Sequence, residues 1–145
     1  MIRIEREMRV ERPRDAVFAY LADPTRIPEW QATAVEVVRD AGTDVGVGTR
    51  WRETRVFMGK RIEQTVETTK YQPVDEFALA VVDGPIPLRI HHRLADDDGA
   101  TLISVAGEGE PGGMFRFGAR FIVPVVERQF DEDFARLRAL LERGS

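Results

Sequence analysis

Six strand-like segments separated by short turn signals, and then one long amphipathic stretch, constrain this chain more than any other feature. The segments are expected at 34–40, 49–58, 60–71, 75–83, 87–95 and 100–109. Gly42 to Gly48, Gly59, Gln72-Pro73, Gly84-Pro85 and Asp96-Asp97-Asp98-Gly99 separate them, residues that favour tight turns for steric and hydrogen-bonding reasons. Strands joined by such short turns pair antiparallel with their chain neighbours. An antiparallel sheet commonly buries one face and needs a cover for it. Val126, Phe130, Phe134, Leu137 and Leu141 recur at three- and four-residue steps, with Glu127, Arg128, Asp131, Glu132, Arg136 and Arg138 on the other face. That is the stripe of a helix lying on a core, and no other segment is long enough to cover the sheet.

The N-terminal third completes the pattern. Ile2, Ile4, Met8 and Val10 alternate with charged residues through Glu11, which is strand periodicity. Pro13 suits a helix's first turn, Val17, Phe18 and Leu21 give that helix an apolar face, and Asp23-Pro24 ends it. A short second helix through Ile27 and Trp30 follows. Pro124 breaks or kinks a helix that starts near Met114, so the terminal helix is open to being two pieces. The expected order is strand, helix pair, six strands and long helix, one α+β domain spanning residues 1–145.

Composition narrows the chemistry. The net charge is -4 and the positive charges are scattered, so the basic patch that nucleic-acid binding needs is missing and no nucleic-acid partner is expected. The absence of cysteine rules out disulfides and thiolate chemistry. The N-terminus alternates in charge and no segment approaches the roughly 20 apolar residues of a membrane span, so a cytoplasmic protein without integral membrane association is expected. Asp96-Asp97-Asp98 lacks the spacing of a calcium loop, Ser104 and Ser145 sit in no nucleophile elbow, and Gly42, Gly46 and Gly48 do not open a helix. No metal and no cofactor are expected.

The chain resembles the Bet v 1-like, polyketide cyclase/dehydrase and START superfamily, the SRPBCC-type helix-grip proteins. Pro13, Val17, Phe18, Leu21, Asp23 and Trp30 carry the likeness, with Gly46-Val47-Gly48-Thr49, Tyr71-Gln72-Pro73, Phe77, Gly99, Thr101 and the terminal helix. The resemblance covers essentially the whole chain. It implies a seven-stranded curved antiparallel sheet around the long helix, with an elongated cavity for hydrophobic small molecules between them. It supplies no shared catalytic motif, and fold alone does not choose among carriers, receptors, cyclases and protein-binding modules.

The turn at Gly59 allows the cavity lining to be read. With a two-residue turn, Met58-Gly59 or Gly59-Lys60, Trp51, Glu53, Arg55 and Phe57 share a face with Ile62, Gln64, Val66 and Thr68. A three-residue loop would flip one strand relative to the other. The set with Ile62 and Val66 is expected inward, which places Glu53, Arg55 and Gln64 together on an apolar wall. They read either as a polar anchor for a ligand, with Glu53 a general base, or as an internal ion pair or charges at a wet cavity mouth. Across the Asp96–Gly99 turn, His92 is expected inward with Leu88, Ile90 and Leu94, and His91 outward. His92 is then a proton shuttle or a hydrogen-bonded wall residue. Trp30 is expected to seal the cavity, and Met114, Phe115, Phe117 and Phe121 either line its entrance beside Gly112-Gly113 or enter the core.

The resemblance, taken with this lining, implies three candidate functions. The first is binding of a hydrophobic small molecule (lipid, aromatic or polyketide-like), with Trp30, Trp51, Glu53, Arg55, Gln64, Val66, Ile90, His92, Phe115 and Phe121 as ligand contacts. The second is a cofactor-free cyclase or dehydratase in which Glu53 or His92 moves protons. The third is an interaction module whose partner is a protein. Glu53→Ala and His92→Ala are expected to change ligand binding and leave the fold intact.

Overall fold

A computed structural model describes residues 2–40, 45–109 and 119–144. The strands are β1 (Ile2–Val10), β2 (Ala34–Arg39), β3 (Arg50–Phe57), β4 (Lys60–Gln72), β5 (Glu76–Asp83), β6 (Leu88–Asp97) and β7 (Ala100–Gly109). The helices are α1 (Arg14–Leu21), α2 (Ile27–Trp30) and α3 (Ala119–Arg143), with a 3-10 turn at Pro24–Arg26. The strands form one antiparallel sheet in the order β1-β7-β6-β5-β4-β3-β2. The chain thus starts at one edge, crosses to the other through α1 and α2, and walks back strand by strand. This is the expected helix-grip architecture.

Two turns set the register that matters for the interior. Met58 and Gly59 have φ of 52° and 77°, and Asp98 and Gly99 have φ of 51° and 86°. Positive φ at both central residues is the geometry of a two-residue hairpin turn, whose twist matches that of its strands. Phe57 therefore pairs with Lys60, and Asp97 with Ala100. Counting back, Glu53 lies opposite Gln64, Arg55 opposite Ile62 and Trp51 opposite Val66. The alternative three-residue loop is thereby excluded.

Pro13 is the residue before α1 rather than within it, and Asp23 accepts the Thr25 N–H at 3.0 Å to start the 3-10 turn. Pro124 lies inside α3, which runs on through it as one described helix. It falls in the second described turn, where its missing N–H removes a single bond to residue 120 and the following turns are intact.

Packing is uneven along α3. Its C-terminal half buries Phe134, Leu137 and Leu141 against Val17, Phe18 and Leu21 of α1 and against Ile103 and Val105 of β7. Arg6 of β1 grips the helix through Asp131 at 2.7 Å and Glu127 at 3.0 Å, and Arg12 donates to the Leu141 carbonyl at 2.8 Å. A smaller cluster of Ile27, Ala34, Trp51 and Val66 closes the sheet's far side. Between them, the N-terminal half of α3 spans the concave sheet without filling the space beneath it.

Candidate functional site

That space is a cavity of about 300 Å³, at the lower end of the range for small-molecule sites. Its wall is mostly apolar, drawn from β1, β3 to β7, α2 and α3. Gly107 of β7 helps to open it, because a Cβ there would meet only Ile90, at 4.0 Å. Ile122, Val126 and Phe130 supply the helix side.

One side of the cavity is polar, and its groups form a continuous network. Glu53 is 3% exposed. Its Oε1 accepts from Trp51 Nε1 at 3.0 Å and Arg55 Nη2 at 3.4 Å, and its Oε2 from Arg55 Nε at 2.9 Å and Gln64 Nε2 at 2.8 Å. Burial pushes this carboxyl up, but the adjacent Arg55 charge and the hydrogen bonds from Arg55, Trp51 and Gln64 outweigh it and hold the group below the usual carboxylate range. Arg55 continues the network to Thr33 Oγ1 at 2.9 Å and Gln31 Oε1 at 2.5 Å. The neighbouring Ala32 N–H donates to Asp133 Oδ1 at 3.1 Å, and Gln129 Nε2 donates to the same oxygen at 2.9 Å. The network therefore runs from β4 through β3 and the α2–β2 loop to α3.

The apolar side holds His92. Its ring stacks on Phe77 with centroids 4.2 Å apart and planes 5° from parallel. Phe77 is in turn met edge-on by Phe18 at 5.6 Å. Burial drives the imidazole pKa down to about 3, with the Phe77 main chain opposing the shift and His91 adding to it. The ring is neutral at neutral pH, and its Nδ1 is buried without a hydrogen-bond partner among the described residues. His91 faces outward, with Nε2 at 2.7 Å from Glu76. Trp30 also borders the cavity, edge-on to Phe134 at 5.1 Å, with its indole N–H buried and without a partner among the described residues.

The structure brings Trp30, Glu53, Arg55, Gln64, Val66, Ile90 and His92 to one cavity. Two expected contacts are corrected. Trp51 is 1% exposed and packs with Ile27, Ala34 and Val66 behind the wall, where its role is to donate to Glu53. Phe121 is 70% exposed and is not part of the lining, because Ile122, the next residue, and Val126, one turn beyond that, occupy the inward stripe. Phe115, with Met114, Phe117 and the Gly112-Gly113 pair, lies outside the described residues.

Sequence reasoning missed Gln31, Thr33, Gln129 and Asp133. For the last two a signal existed: with Val126, Phe130, Phe134 and Leu137 they share the inward face of α3, two polar residues set into an apolar stripe. Gln31 and Thr33 sit in a loop, where no periodicity announces direction.

No relative is found among curated proteins. Solved structures show the same fold at low identity. A START superfamily protein from Mycobacterium smegmatis matches with TM-score 0.77 and 13% identity, over 99% of each chain. The Zhui aromatase/cyclase from Streptomyces matches with TM-score 0.76 and 16% identity, over 98% of this chain and 94% of that one. Ara h 8.0201 matches with TM-score 0.70 and 15% identity, over 97% of each. The family model described as polyketide cyclase / dehydrase and lipid transport matches residues 1–142, and by that match the chain belongs to this family.

Proposed function

We propose that this chain binds a hydrophobic small molecule, of lipid, aromatic or polyketide-like character, in the cavity between the sheet and α3. The observation that carries this reading is the cavity itself: an apolar space left open under the helix, with one polar side. Burial of ligand surface there contributes about 25 cal/mol per Å², and Arg55, Gln64 and their partners set orientation. A cyclase or dehydratase would need a group that exchanges protons near neutral pH. Glu53 is held ionised by its hydrogen bonds and His92 is held neutral by burial, which favours binding over proton transfer. An interaction module would need no such open interior.

Native mass spectrometry of gently purified protein, followed by denaturing extraction, tests the reading. The expected result is a stoichiometric apolar molecule released on unfolding and lost from Gly107→Leu, whose new side chain projects into the cavity. Equal retention by both proteins would place the molecule elsewhere and overturn the reading.

A further inference from the structure

The polar side of the cavity carries information about the ligand's head group, provided the binding reading holds. Among the described residues only three charged side chains line the cavity: one cation, Arg55, and two anions, Glu53 and Asp133. Arg55 is already committed to Glu53 at 2.9 Å. Among the described residues the only cation near Asp133 is the half-exposed Arg136 at 3.3 Å, which is not part of the lining. An anionic head group would enter a wall that already holds more negative than positive charge, and a buried charge without a partner is costly.

The orientation of the glutamine amides sharpens this. An ionised carboxylate only accepts hydrogen bonds, so Gln64 and Gln129 must turn their NH2 groups to Glu53 and Asp133. Among the described residues, their carbonyl oxygens are then left without a side-chain or main-chain donor. Gln31 is turned the other way, because its oxygen accepts from Arg55 Nη2, which leaves its NH2 to give. The two carboxylates thus impose acceptors on Gln64 and Gln129, while Gln31 supplies a donor.

We infer that this cavity selects neutral hydroxylated apolar molecules, whose O–H donates to Gln64 or Gln129 and whose oxygen accepts from Gln31, and that it rejects the corresponding carboxylates. A hydroxyl is the smallest neutral group that both gives and accepts. A methyl ether lacks the proton and a carboxylate brings a charge.

The test is a binding series at pH 7 with naphthalene, naphthol, methoxynaphthalene and naphthoate, followed by tryptophan emission or calorimetry. Naphthol is expected to bind about tenfold tighter than the ether and the carboxylate, the difference one buried hydrogen bond or one unpartnered charge makes. In Gln129→Leu the preference for naphthol over the ether should shrink, with naphthalene affinity retained. Naphthoate binding as tightly as naphthol, or the ether doing so, overturns the inference and leaves the apolar cavity standing. Binding of naphthalene but not naphthol does the same. Failure of all four to bind overturns both the inference and the binding reading beneath it.

Discussion

Glu53→Ala is expected to destabilise the fold by about 3 kcal/mol, the cost of breaking a buried ion pair from one side. The substitution leaves the Arg55 guanidinium with only Gln31 and Thr33, and strands the Trp51 indole N–H in the interior. The midpoint of thermal unfolding should fall by roughly 10 °C for a chain of this size. Glu53→Gln, which keeps an acceptor for Trp51 but loses the charge, should fall between. Replacing both partners with apolar residues, as in Glu53→Leu with Arg55→Met, should recover much of the loss, because the desolvation cost disappears with the pair. Sequence reasoning expects Glu53→Ala to leave the fold intact. The structure argues otherwise, since one carboxylate serves three neighbouring side chains. Unfolding in urea checks this, and a Glu53→Ala midpoint equal to the parent's would contradict the hub role.

Acid should weaken the protein well before its carboxylates titrate. The His92 pKa is lowered by burial to about 3, from 6.5 in the unfolded chain. Below pH 6.5 the unfolded state therefore takes up a proton that the folded state refuses. The sign follows: stability is full above pH 6.5 and falls as pH drops, by about 1.4 kcal/mol per unit. Glu53, Glu76 and Glu142 are shifted below 4.5, so their losses begin lower and leave the range from pH 6.5 to 4.5 to His92. Over those two units the loss should reach about 2.7 kcal/mol. His92→Phe keeps a ring for Phe77 to stack on and should flatten the slope in that range. Urea titrations at successive pH values measure it directly, and an unchanged slope in the variant would show that another group is responsible.

How much of this was legible in the sequence depends on what kind of signal each residue carried. The strands announced themselves by alternation and by their turn residues, and the stripe from Val126 to Leu141 announced the helix. The polar wall is legible where register can be counted from a tight turn, as it can for Glu53, Arg55, Gln64 and His92. It was illegible at Gln31 and Thr33, whose direction is set by contacts with Arg55. Trp51 and Phe121 mark the limit of face assignment. An inward strand residue near the sheet's edge packs under a neighbouring helix instead of facing the cavity, and a helix residue one step off the stripe turns outward.

A crystal structure of the protein with bromonaphthol, located by the anomalous signal of bromine, tests directly whether the space beneath α3 takes a ligand. The halogen is expected between α3 and strands β3 to β6, with the hydroxyl within hydrogen-bond reach of Gln64 or Gln129. Bromine found only on the outer surface, with side chains filling the space beneath α3, would contradict the binding reading.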